Sequence, residues 1–207
     1  MTSEVTICNL GLSFLGDEAN ISSINPAEES VQAEHCRRYY PIARDQVLAE
    51  GQWGFALRRK ALVELADVDP PESWGYTYSV PNDCHVAIAV LLPESTDDTL
   101  AQPFIRESVT DDVEVIYTNV EDAVLRYVAH VEDTAKYPPH FVVAVARLVA
   151  SYVAGPLIKG DKGMEMSDRM LKRYVEVDLP KALRIDANAR RTTEYNTFVP
   201  GAIGARR

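Results

Sequence analysis

The sequence predicts an α+β protein: mainly a helical bundle with an attached small antiparallel β-sheet. Three observations point there. Residues 1–60 and 134–190 carry apolar positions at helical spacing, residues 61–133 alternate apolar and polar positions between turn residues, and the two regions differ sharply in charge. At 207 residues, 46% hydrophobic and 25% charged, the chain is long enough to bury a sizeable core. The expected organisation is a bundle from 1–60 and 134–190, an acidic antiparallel sheet inserted at 61–133, and a basic extended tail at 191–207.

The first helix is expected near Val5, Ile7, Leu10, Leu12 and Leu15, closed by Gly16-Asp17. After the linker Ile21-Ser22-Ser23-Ile24, Asn25-Pro26-Ala27-Glu28 supplies a capping residue, a proline at the first helical position and an acid in the first turn. The helix expected there runs to about Glu50 with Val31, His35, Tyr39, Ala43 and Val47 on one face, and Pro41 should kink or divide it. Strands are expected at 74–80, 86–92, 104–109, 113–117 and 124–131. Pro81-Asn82-Asp83 and Thr110-Asp111-Asp112 serve as turns.

Pro138-Pro139 restarts the helical pattern. Fourteen of the eighteen residues in 141–158 are apolar, Arg147 is the only charge, and Ala146, Ala150 and Ala154 form a small-residue ridge. A buried central helix ending at Gly155-Pro156 fits better than a membrane span, which needs about 20 apolar residues. Beyond 159–163, a last helix should turn Met166, Met170, Tyr174 and Val177 inward, and Pro180 should bend or end it.

The net charge of −10 divides unevenly. Residues 1–60 hold 6 Lys/Arg against 8 Asp/Glu, residues 61–133 hold 2 against 16, and residues 134–207 hold 13 against 7. The acidic centre is unsuited to sequence-specific nucleic-acid binding, which relies on clustered cations. The three cysteines, Cys8, Cys36 and Cys84, are odd in number and widely spaced, and the Met1 end has no basic-then-apolar leader. A reduced, cytosolic setting is expected.

Enzymatic signatures do not assemble. Gly155 and Gly160 are spaced like the start of a phosphate loop, but Asp161 stands where its lysine would be. His35-Cys36 and Cys84-His85 are adjacent pairs whose side chains diverge, so no metal site is expected. His130 and His140 read as isolated residues flanking the strand-to-helix connection. No serine sits in a glycine elbow and no cysteine has a fixed histidine partner. The acid pairs Asp97-Asp98, Asp111-Asp112 and Glu121-Asp122 fall in expected turns, where carboxylates are solvated. Trp53, Phe55, Trp74, Tyr76 and Tyr78 lie within 26 residues, as packing at the joint of helices and sheet or as partner anchors.

The order of short segments resembles a known family. Ile7-Cys8-Asn9-Leu10, Leu15-Gly16 and Ile21-Ser22-Ser23-Ile24 precede Tyr40-Pro41-Ile42-Ala43-Arg44-Asp45-Gln46-Val47-Leu48 and Trp53-Gly54-Phe55-Ala56-Leu57-Arg58-Arg59. Trp74 to Tyr78, Pro81-Asn82-Asp83-Cys84, Leu125-Arg126-Tyr127-Val128 and Tyr137-Pro138-Pro139-His140-Phe141 follow. The pattern, spread over nearly the whole chain, resembles the head-to-tail adaptors of short-tailed bacteriophages, also called tail tubular protein A. Pro180 and the Arg-rich tail depart from it.

The resemblance implies a non-enzymatic virion protein with no catalytic residues and no cofactor. It would form a ring, typically of twelve copies, between the portal and the tail nozzle. Genomic double-stranded DNA would pass through without sequence-specific binding, and no membrane would be involved. The expected location is the head-tail junction of the virion, with the host cytoplasm during assembly. Two expectations about surfaces accompany it. Part of the acidic segment faces the channel or the tail partner, or else a plain solvated exterior, and the tail docks on the portal through Phe198 and Val199, with Arg206 and Arg207 as charge partners. Two other readings stay open: a different small tail- or head-completion component, and a divalent-metal-dependent hydrolase using turn carboxylates.

Overall fold

The computed structural model describes residues 2–18, 20–95, 100–110 and 113–190. The architecture is α+β, as the sequence predicts, with two small antiparallel sheets where one was expected. Helix α1 (Glu4–Phe14) starts where the Ser3 hydroxyl accepts the Thr6 N–H at 3.1 Å, and it turns Ile7, Cys8, Gly11 and Leu12 inward. Asn9 then brackets Ile21: its amide donates to the Ile21 carbonyl and accepts the Ile21 N–H, both at 2.9 Å. The linker is thereby pinned, with Ile21 and Ile24 buried.

Helix α2 (Val31–Ala49) begins later than Asn25-Pro26 suggests, because Ser30 is the residue that caps, accepting the Ala33 N–H at 3.1 Å. Glu28 is taken up by the loop, where it accepts the Ser22 N–H at 2.9 Å and the Ser30 hydroxyl at 3.1 Å. The buried face is Ala33, Cys36, Tyr40, Ala43, Val47 and Leu48, while Val31 is exposed. A strict four-residue stripe drifts about 40° per step around a helix of 3.6 residues per turn, so its early members leave the core face. Pro41 does not divide α2: the proline and Arg37, whose carbonyl loses a partner, both lie on the exposed side.

Residues 57–60, read with the bundle from sequence, belong instead to strand β1 (Leu57–Ala61). It pairs with β7 (Val124–Ala129), which pairs with β4 (Cys84–Leu91), giving the order β1-β7-β4. The second sheet has the order β2-β3-β6-β5, built from β2 (Val63–Glu64), β3 (Tyr76–Ser79), β5 (Phe104–Thr110) and β6 (Val113–Thr118). Strands β3 to β7 fall where alternation predicts them; the chain crosses between sheets after β1, β3, β4 and β6. A single bridge between Val90 and Gln102 ties the sheets where β4 gives way to β5.

Helix α3 (Pro139–Ile158) is the centre of the core and runs past Gly155-Pro156 rather than stopping there. It is long and apolar enough to cross a membrane, yet 67% of that apolar window is buried within the fold. Ala146, Ala150 and Ala154 are fully buried. At this ridge α1 approaches so closely that a Cβ on Gly11 would stand 2.9 Å from the Ala146 carbonyl oxygen.

Helix α4 (Gly160–Arg173) begins at once, earlier than expected, because the reversal is completed by Lys159 at φ 61° and Gly160 at φ 60°. Of the two glycines suggestive of a phosphate loop, Gly160 serves the helix turn, whereas a Cβ on Gly155 would meet nothing within 4 Å; the glycine that the packing requires is Gly163, where a Cβ would lie 3.0 Å from the Gly155 carbonyl oxygen. The helix continues through a π-helical turn (Tyr174–Asp178) into α5 (Leu179–Ala189). Proline at 180 has no N–H to give Glu176, and the wider turn, with the Leu179 N–H bonded to the Tyr174 carbonyl, absorbs that loss without ending the helix. The inserted residue rotates the inward face: Met170 and Tyr174 are buried as expected, Val177 is exposed, and Asp178, Ala182 and Asp186 turn inward instead.

Candidate interaction surfaces

The aromatic cluster divides by burial. Trp53 is fully buried, its indole N–H donates to the Val47 carbonyl at 2.7 Å, and Phe141 meets its ring edge-on at 5.0 Å. Phe55 packs against Phe141 at 4.9 Å and Tyr137 at 5.5 Å. Both aromatics join the start of the sheets to α3. Tyr78 is buried with its hydroxyl donating to the Val120 carbonyl at 2.8 Å, and Tyr76 lies 6.1 Å from it. Trp74 and Tyr76 are half-buried.

The turn between Trp53 and Phe55 is held by a carboxylate distant in sequence. Asp186 accepts the Gly54 N–H at 3.0 Å and the Arg190 Nε–H at 2.8 Å, and His140 Nε2 lies 3.8 Å away. A Cβ at position 54 would come within 2.8 Å of Arg190 Cδ, so a larger residue there would have to displace the Arg190 side chain. Beside this contact, Pro139, His140, Val143, Lys181, Ala182 and Ile185 line a mainly apolar groove of about 440 Å³.

The histidines are not isolated. His130 Nε2 lies 3.0 Å from both Asp45 Oδ1 and Arg44 Nη2, and the His85 ring is 5.7 Å from the His130 ring. Arg44, buried, also donates from Nε to Asp45 at 2.8 Å and pairs with Glu132 at 3.3 Å. Burial opposes ionisation of Asp45, but the bonds and charges of Arg44 and His130 together outweigh it and hold this carboxyl below its ordinary range. The cysteines are closer in space than in sequence. Cys8 and Cys36, both fully buried on α1 and α2, share a hydrogen bond that, with burial, pushes the Cys8 thiol well above its usual range.

Charge gathers on two surfaces. On the sheet β1-β7-β4, Arg59 stands directly across from Arg126, and these two, with Leu57, Arg58 and Arg190, line a cleft of about 260 Å³. Arg58 pairs with Asp83, Arg126 donates to Gln52 at 3.4 Å, and Arg190 is held by Asp186. The loop from β2 to β3 carries Glu64, Asp67, Asp69 and Glu72, all exposed, in no ion pair among the described residues.

Of the acid pairs, Glu121-Asp122 forms an exposed turn. Asp97-Asp98 and Asp111-Asp112 lie outside the described residues, as do Phe198, Val199, Arg206 and Arg207. Among the described residues no three His, Cys, Asp or Glu side chains gather as a metal site would. Sequence reasoning missed the basic cleft; its one signal was the run Arg58-Arg59-Lys60, three cations in succession, which a core-facing helix could not hold.

The sequence matches no protein-family model and no curated protein.

Proposed function

We propose that the protein is a non-enzymatic structural adaptor of a short-tailed bacteriophage. It forms a ring between portal and tail nozzle, with double-stranded DNA passing through the ring. The carrying observation is the ordered series of segments from Ile7 to Phe141 that resembles the head-to-tail adaptors. The α+β architecture supports the reading, since the resemblance implies a helical bundle bearing antiparallel strands. Support also comes from the segment Trp53-Gly54-Phe55, whose backbone is tied to α5 through Asp186 and whose rings pack on α3, so that part of the series marks the joint of the fold.

In this reading the partners are further copies of the chain, the portal protein and the nozzle protein, and the location is the head-tail junction. Cryo-electron microscopy of particles containing the protein tests it. The expected result is collar density between portal and nozzle into which this fold fits; particles with the protein elsewhere, or without it, refute the reading.

A further inference from the structure

A helix that packs along one face turns a single apolar stripe inward. The helix that runs from α4 through the π-turn into α5 carries apolar side chains outside that stripe as well, on two flanks. Met164, Leu171 and Val175 each stand one position after an inward residue, namely Gly163, Met170 and Tyr174. Met164 is 67% exposed and Val175 53%. Val177, Lys181 and Ile185 each stand one position before an inward residue, namely Asp178, Ala182 and Asp186. One position is about 100° of turn, so the first set forms a ridge on one flank of the helix and the second set faces the other flank.

That second flank opens on the groove beside α3. Its apolar walls are Pro139, Val143, Ala182 and Ile185, and Val143 and Ile185 remain exposed. Ridge and groove match in length: Met164 to Leu171 and Asp178 to Ile185 are equally far apart in sequence, about 10 Å along a helix at 1.5 Å per residue. They also match in charge. Lys181 on the groove rim is exposed and in no ion pair among the described residues, while Asp178 is already answered by Arg147 at 2.8 Å. Beside the ridge, Asp161, Glu165 and Asp168 are exposed and likewise in no ion pair, and Lys172 is taken by Glu176 at 3.9 Å. At 100° per residue, Lys162, Arg169 and Arg173 fall on the opposite side of α4 from Met164.

We propose that the Met164/Leu171/Val175 ridge of one copy docks into the groove between α3 and α5 of a second copy, where Lys181 meets the acids beside the ridge. One chain thus carries both halves of the contact, apolar against apolar and acid against base. The halves are different surfaces on opposite flanks, so each copy uses both and the contact propagates head to tail. Such a heterologous contact closes into a ring when the rotation per copy divides the circle. This rests on the ring reading above and names the faces that meet in it.

Two half-blocked variants test it. Met164→Asp/Leu171→Asp blocks the ridge and leaves the groove, and Val143→Asp/Ile185→Asp blocks the groove and leaves the ridge. All four positions are exposed, so the fold should hold, which circular dichroism checks. In sedimentation velocity of concentrated protein, the wild type should form concentration-dependent oligomers. Each variant alone should be monomeric, its association weakened at least tenfold by a carboxylate set in an apolar contact. Their equimolar mixture should give one-to-one dimers that grow no further, since each dimer has one blocked ridge and one blocked groove at its ends. Lys181→Glu is the milder variant if the double changes unfold the chain. It should weaken association roughly two- to fivefold, and adding Asp161→Lys/Asp168→Lys should restore it.

A wild type that stays monomeric, variants that assemble like the wild type, or a mixture no more associated than its components overturns the docking and leaves the ring reading to the collar density. Wild-type monomers together with particles that lack the collar overturn both. Truncation after Ala189 should leave the association unchanged; oligomers that form only in the truncated chain overturn the docking and assign the groove to residues 191–207.

Discussion

Arg147 is the only charge within the apolar stretch of α3, and its environment makes a sharp prediction. Its Nε donates to Asp178 at 2.8 Å, Nη1 lies 3.2 Å from the Met170 sulfur, and its guanidinium sits 3.6 Å from the centre of the Phe14 ring. The two side chains are 11% and 10% exposed, so solvent screens the pair little. Removing one partner of a buried pair strands the other, at a cost of about 3–5 kcal/mol. Asp178→Ala should therefore lose about that much in urea unfolding followed by circular dichroism, and its Tm should fall by roughly 6–20 °C for a domain of this size. The double change Arg147→Met/Asp178→Leu removes both charges and retains volume; it should lie within about 1 kcal/mol of the wild type or above it. An Asp178→Ala cost below about 1 kcal/mol, the range of exposed ion pairs, refutes the reasoning, as does a double variant as unstable as the single one.

Further perturbations test other parts of the fold. Gly11→Ala should cost roughly 1–3 kcal/mol in the same assay by forcing α1 away from the Ala146 carbonyl. Lys159→Gly should stabilise by about 1 kcal/mol, because Lys159 holds φ 61° and ψ 162°, a conformation open almost solely to glycine. The Tyr127 hydroxyl, pushed up to about 12 by burial and by its bond to Asp83, contributes stability that is complete below the unfolded value near pH ~10 and lost as pH rises through the folded one. Urea stability should accordingly drop between about pH 10 and 12, and less so in Tyr127→Phe. Truncation after Ala189 should leave the described fold's circular dichroism unchanged and weaken capsid attachment, measured by co-sedimentation with particles; undiminished attachment removes the tail from portal docking.

Much of this fold was legible because its signals are local. Helix α3 declares itself through an apolar run broken by one charge, and β3 to β7 through alternation between turn residues. The start of α2 was misread because two caps compete, and the choice of Ser30 over Asn25 depends on Glu28 being engaged by Ser22, a loop contact. The π-turn could not be read from Pro180 alone. It brings Asp178 to Arg147, and that demand arises only when α3 and α4 are packed together. The candidate surface was the least legible part, since Arg59 and Arg126 meet through strand register and Arg190 joins them through Asp186 and Gly54.

The interleaving of the two sheets bears on how the chain can be cut. Strand β1 starts before residue 61 and finds its partner in β7, just before residue 133, so the intervening segment is not a detachable module. Excising it would remove β7, the strand that pairs with β1, and with it Val128 opposite Leu57 and the Ala129 N–H that donates to the Ala56 carbonyl. The same pairing must wait until a long stretch of chain has been synthesised and its ends brought together, a closure whose entropic cost rises only slowly with length. Until then the strand bearing Arg58, Arg59 and Lys60 is kept from premature pairing by its own charge, which also discourages edge-to-edge aggregation.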